Sequence, residues 1–140
     1  MMDYRELAKA AVQAKKMSYS PLSNFEVGAA VLTKSGKIYT GCNIESASYS
    51  PTICAERTAI FKAVSEGERE FAAIAVSGSK KDETPGYCYP CGVCRQVISE
   101  FGSEDMEVIL AVTADDYKKT TVAELLPNSF GMKDVLGDKS

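Results

Sequence analysis

Leu7, Ala11, Ala14 and Met17 recur at helical spacing, and Asp3 with Glu6 three residues on fits a capping box. The pattern predicts a first helix from about residue 3 to 17. The polar residues 18–24, broken by Pro21, predict a loop. Residues 25–33 are apolar and partly β-branched, 34–37 read as a turn, and 38–42 are again strand-like, which together predict a hairpin. A polar loop spans 43–53. From Cys54 to Glu66 the spacing is helical, with Ile60, Ala63 and Val64 on one side and Gly67 as the stop. Residues 71–77 predict a strand and 78–89 a flexible stretch. Pro90 suits the start of a third helix, closed by Gly102. A strand at 107–113, a short edge strand at 117–120 and a short helix capped by Thr121 and Glu124 complete the pattern.

Strands thus alternate with helices after an initial hairpin. This predicts an α/β fold in one domain, with a mixed sheet covered by helices on both faces. The domain is expected over residues 1–130, with 131–140 as a weakly ordered tail.

Composition narrows the function. A chain of 140 residues buries about two-thirds of its unfolded surface, so size alone demands no metal staple. A metal, if present, is expected to be functional. The net charge of −3 and the lack of a basic cluster argue against a nucleic acid polymer as partner. Residues 1–6 lack the apolar core of a signal peptide, and no apolar run is long enough for a bilayer. The expected location is the cytoplasm, with no membrane partner. Five cysteines in such a chain are not expected to form disulfides. Histidine is absent, which removes catalytic imidazoles and histidine metal ligands.

The thiols therefore need another use. Cys91 and Cys94 follow Pro90 at the start of a predicted helix, and Cys54 and Glu56 lie at the start of an earlier one. Unsatisfied N–H groups and the dipole at a helix N-terminus favour thiolates. Two such ends facing each other offer three thiolates to one cation, the pattern of a catalytic zinc with an open position. Zinc suits thiolate ligands and makes water acidic enough to supply hydroxide at neutral pH. Glu56, two residues from a ligand, is placed to shuttle protons. Three rival readings stay open on these residues. Cys91 and Cys94 alone match a redox pair. Cys88, Cys91, Cys94 and Cys54 together match an iron–sulfur cluster or a closed structural zinc. Cys54 also reads as a buried apolar residue.

The segment Cys54-Ala55-Glu56-Arg57-Thr58-Ala59, with Pro90-Cys91-Gly92-Val93-Cys94-Arg95-Gln96, resembles the small three-cysteine cytidine deaminases. The segments at 24–30, 41–45 and 125–130 are similar to that family as well, so the likeness runs from about Tyr19 to Phe130. The resemblance implies a three-layer α/β/α fold with a mixed, mainly five-stranded sheet. It implies one Zn²⁺ per chain on Cys54, Cys91 and Cys94, with Glu56 as proton shuttle and Arg57 tuning the metal site. Phe25, Asn43, Glu45 and the Ala55 backbone N–H would bind the nucleoside. Phe130 would reach the pyrimidine of a neighbouring subunit in a homotetramer. The implied activity is hydrolytic deamination of cytidine and deoxycytidine in pyrimidine salvage. The alternatives are a related nucleoside such as blasticidin S, or a non-catalytic cysteine-rich metal or redox module. Read without the resemblance, Phe25 is core, Asn43 a turn residue, Glu45 a solvated charge and Phe130 a tail anchor. The chain departs from the family in two places. Tyr89 stands where a small hydroxyl residue is common, and Cys88 adds a thiol beside the motif.

Overall fold

The computed structural model describes residues 3–137. Five strands form one sheet in the order β2-β1-β3-β4-β5: β1 (Phe25–Thr33), β2 (Ile38–Cys42), β3 (Phe71–Lys80), β4 (Glu107–Ala111) and β5 (Tyr117–Thr121). Only β3 and β4 run parallel; the other neighbours are antiparallel. The helices are α1 (Arg5–Ala14), which continues into a 3-10 turn at Lys15–Met17, then α2 (Ala55–Ser65), α3 (Gly92–Phe101), α4 (Val122–Leu125) and α5 (Met132–Leu136). Among the described residues no helix is long and apolar enough to cross a membrane.

The central strands are apolar on both faces because both are covered. Side chains alternate across a strand, so Ile74 and Val76 of β3 join Val108 and Leu110 of β4 in one core, and Phe71 enters it too because the register with β1 shifts between Leu32 and Thr33. That core packs on Ala55, Ala59, Ile60 and Ala63 of α2 and Cys94 and Ile98 of α3. Ala73, Ala75, Ile109 and Ala111 face the other way, against Tyr4, Leu7, Ala8 and Ala11. These are the three layers expected from sequence. Alanines on this second face let α1 lie close. At Gly28 a Cβ would fall 2.2 Å from the Ala11 carbonyl oxygen, and at Gly41 one would fall 2.5 Å from the Ala59 nitrogen. At the far edge, β5 exposes Lys118 and Lys119, which guard against pairing with another sheet.

Several boundaries differ from the sequence pattern. Strand β3 runs to Lys80, into the stretch expected to be flexible, because Gly78, Ser79 and Lys80 pair with Val27, Glu26 and Phe25. The Asp3–Glu6 capping box does not form. Tyr4 takes the N-cap position and sends its hydroxyl to Glu107 Oε1 at 2.8 Å, while Asp3 accepts from the Arg5 N–H at 2.9 Å. Thr121 does cap α4, accepting from the Glu124 N–H at 3.3 Å. The segment expected to be a tail contains α5; residues 138–140 lie outside the described part.

Candidate metal centre and active site

The start of β1 and the ends of β2 and β3 lie at one end of the sheet's strands, since Phe25 pairs with Lys80 and Gly28 with Cys42. Helices α2 and α3 bring their first turns to the same region. Cys54 is the N-cap of α2 and Cys91 the N-cap of α3, so both precede their helices rather than sit inside them. The third thiol, Cys94, is in the first turn of α3 and is fully buried. The sulfurs of Cys54, Cys91 and Cys94 all lie within 4.8 Å of one another, with 3.7 Å between Cys54 and Cys91.

The helix ends hold these residues firmly. The Cys54 and Cys91 carbonyls accept from Thr58 and Arg95 at 3.1 and 2.9 Å. Arg95 Nε also donates to the Pro90 carbonyl at 2.8 Å, and its Nη1 to that of Leu125 at 2.9 Å, which ties the motif to the end of α4. Arg57 Nη2 donates to Cys54 Sγ at 3.5 Å. Hydrogen bonds from Cys94, then from Arg57 and Cys91, pull the Cys54 thiol below its ordinary pKa. Three soft sulfur donors in so small a space, one of them already drawn toward thiolate, fit a zinc ion.

Cys88 is outside this cluster of three. It packs under Phe25 instead, where a side chain at Gly78 would lie 2.7 Å from its sulfur. Burial, then the nearby Glu56 and Cys54, push its pKa up to about 11. A four-cysteine site is therefore not what this fold assembles, and a Cys91–Cys94 redox pair would ignore the third sulfur.

A cavity of about 300 Å³ opens beside the thiols, lined among others by Phe25, Asn43, Glu45, Cys54, Glu56 and Cys91. Its size lies at the lower end for small-molecule sites. Glu56 is only 4% exposed. Burial, with a smaller contribution from Cys54, raises its pKa to about 7. Ala55 is the first residue of α2, where an N–H has no intrahelical acceptor. Phe25 is partly exposed and lines the cavity rather than the core, contrary to its reading without the resemblance. Glu45 is half-buried and held in place, for Leu22 and Ser23 donate backbone N–H groups to it at 2.8 and 3.1 Å. Asn43 is buried, and its amide is largely occupied. It donates to the Phe25 carbonyl at 2.8 Å and accepts from Val27 at 2.9 Å and Ser18 at 2.5 Å.

Phe130 does not reach this cavity. It is 60% exposed, and its carbonyl accepts from Gln96 Nε2 at 2.8 Å. Val27, Thr52 and Ile53 also line the cavity. Sequence reasoning missed them because one reads as strand and two as loop, with no chemistry of their own.

Residues 1–111 match the profile of the cytidine and deoxycytidylate deaminase zinc-binding region. The chain belongs to this deaminase family. It is 49% identical over 134 residues to the cytidine deaminase of Sporosarcina psychrophila, covering 96% of each chain. The blasticidin-S deaminase of Bacillus cereus is 36% identical over 126 residues, with 87% of this chain and 88% of that one covered. The crystal structure of the Burkholderia pseudomallei cytidine deaminase superposes with a TM-score of 0.82 at 46% identity, over 92% of this chain and all of that one. The matched profile spans the three clustered thiols and Glu56, so this deaminase has its zinc-binding region at the strand ends where the cavity opens.

Proposed function

We propose that the protein hydrolyses the 4-amino group of cytidine and deoxycytidine, giving uridine or deoxyuridine and ammonia. One observation carries the reading: a buried carboxyl, Glu56, shares a nucleoside-sized cavity with two of the three clustered thiols. Cys54, Cys91 and Cys94 would hold one zinc ion, which when bound supplies the Lewis acidity that makes water nucleophilic. Glu56 takes a proton from the attacking water and delivers it to N3 of the ring as the new C4–O bond forms. It then moves the remaining hydroxyl proton to the amino nitrogen. The C4–N bond breaks, ammonia leaves, and the C4 carbonyl remains. General acid–base catalysis of this kind contributes about 10²–10⁴-fold.

Binding follows the same logic. The Ala55 N–H would meet the pyrimidine 2-oxygen, Phe25 would pack against the nucleoside, and Asn43 and Glu45 would bind the ribose. An acidic side chain by the sugar disfavours a 5′-phosphate. Arg57 would offset the negative charge that three thiolates place on the metal. The exposure of Phe130 supports a role in the cavity of a neighbouring subunit, within the homotetramer that the family resemblance implies. We further infer a catalytic domain over 1–130 with 131–140 as an appendage, and a cytoplasmic role in pyrimidine salvage.

Identities of 49% and 48% to two bacterial cytidine deaminases, against 36% to the blasticidin-S enzyme, support cytidine as substrate. The test follows the fall in ultraviolet absorbance as purified protein converts cytidine to uridine, with blasticidin S in parallel and metal content measured on the same sample. About one zinc per chain and preferential turnover of cytidine are expected. Zinc-loaded protein that leaves cytidine untouched would refute the assignment.

A further inference from the structure

Glu45 stands between two cavities. One holds the thiols and Glu56; the other is bordered by Leu22, Ser23, Tyr49 and Thr52. Ser23 faces Glu45 from that second side and does not line the first cavity. Its hydroxyl makes two bonds at once, donating to Glu45 Oε2 and accepting from the Phe25 N–H at 3.0 Å. Its own N–H and that of Leu22 hold the other carboxylate oxygen, Oε1, at 3.1 and 2.8 Å. Between Ser23 and Phe25 the chain turns through a left-handed residue, Asn24 at φ 59°, which brings the hydroxyl back toward both partners. Glu45 follows β2 and Phe25 opens β1, so two residues lining the cavity from different strands are joined through one exposed serine.

We propose that Ser23 is the positioning residue of the sugar subsite: its hydroxyl fixes the Glu45 carboxylate and the Phe25 backbone relative to each other before substrate enters. The proposal rests on the reading of Glu45 as acceptor for a sugar hydroxyl. A free carboxylate would sample several rotamers and stay fully hydrated. One clamped by Ser23 and two backbone donors is oriented in advance, and binding then costs less ordering. The same donors hold Glu45 below the usual carboxylate range, with the Ser23 hydroxyl the main cause. Ser23 itself touches no reacting atom.

The experiment compares Ser23→Ala, Ser23→Cys and Ser23→Thr with Glu45→Gln, using cytidine and 2′,3′-dideoxycytidine. Ser23 is exposed, so the variants are expected to fold, and melting curves check this. Ser23→Ala should raise KM for cytidine about tenfold, the loss expected for one bond to a charged group. Its kcat should stay within about twofold, because the reacting atoms are elsewhere. Ser23→Cys, a weak donor, should behave alike, and Ser23→Thr should restore most of the affinity. For the dideoxynucleoside, which lacks the 3′-hydroxyl that Glu45 would chiefly accept from, KM should barely change. NMR titration should show the Glu45 carboxyl moving to higher pKa in Ser23→Ala, a change that a purely structural serine would not produce. An equal KM rise for both nucleosides, or an unchanged KM for cytidine while Glu45→Gln raises it, would overturn the role of Ser23. If Glu45→Gln itself leaves cytidine kinetics unchanged, the sugar-acceptor reading of Glu45 is what fails, and the proposal falls with it.

Discussion

Stability alone does not explain why the Glu56 carboxyl is buried. It is almost wholly buried in the first turn of α2, and among the described residues none of the salt bridges reaches it. Burying such a group without a paired cation is costly, so a side chain kept here for stability would more economically be apolar. Burial in the cavity wall, beside the thiols, is instead what proton transfer requires. Two expectations separate these explanations. Glu56→Gln keeps size and shape but cannot carry the proton, so it should lose about 10²–10⁴-fold in kcat while retaining bound zinc. Its melting temperature should stay level or rise, because the amide removes a buried ionisable group. Loss of stability with normal turnover of the folded fraction would assign Glu56 to the scaffold. Steady-state kinetics, metal analysis and thermal melts on one preparation give the answer.

Elements position these residues, and the two close glycines show how strictly. At Gly41 an added Cβ would also lie 2.8 Å from the Ala55 carbonyl oxygen, and these are backbone atoms of α2 that cannot rotate away. The helix would have to shift, carrying Cys54 and Glu56 with it. Gly28 meets α1 as tightly, but α1 bears no residue of the site. Both alanine variants should lose about 1–3 kcal/mol, measured by denaturant unfolding. Gly41→Ala alone should also lose turnover per folded molecule. Equal turnover in both would break the link between β2–α2 packing and the site. A second docking contact joins α1 to the sheet, where the Tyr4 hydroxyl donates to Glu107. Burial, then that bond, pushes the Tyr4 pKa up to about 12 from 10.0. The raised folded-state pKa means that this contribution is complete below about pH 10 and lost as pH rises through about 12. Tyr4→Phe should therefore cost about 1 kcal/mol at neutral pH, with the difference from the parent shrinking between those limits in unfolding experiments. The contacts also explain what could be read in advance. Cys54 with Glu56, and Cys91 with Cys94, were legible because each pair is local and chemically unusual. The layers were legible because residues 71–76 of β3 and 108–111 of β4 are apolar. The end of β3 was not, since Gly78 to Lys80 look like a loop until β1 supplies the pairing. Nor was the α1 cap, where a tertiary bond to Glu107 wins over a local one. Nothing local links Ser23 to Glu45, 22 residues apart.

At the scale of the whole molecule, the question is how far the fold depends on its metal. A small zinc domain without a core unfolds when the ion is removed. Among the described residues this chain has two cores, one on each face of a five-stranded sheet; Cys94 belongs to one and Cys54 packs against it, but most of both is apolar strand and helix. Cys94 is the only one of the three that is fully buried, while Cys91 is exposed and Cys54 partly so. The ion would thus join the first turns of α2 and α3 at the margin of one core. Stripping zinc with a strong chelator should abolish activity and leave the far-ultraviolet dichroism nearly unchanged. The melting temperature should fall, because a ligand that binds only the folded chain stabilises it by RT ln(1 + [L]/Kd), about 4 kcal/mol at a thousandfold excess over Kd. Hydrogen exchange should quicken in the first turns of α2 and α3, where the thiolates lose the charge that held them together. It should change little in β3 and β4, whose protection comes from apolar burial on both faces. Readdition of zinc should restore activity without a refolding step. Global unfolding of the stripped protein, with exchange rising equally in the central strands, would show that the two cores alone do not hold the fold and that the metal is structural as well as catalytic.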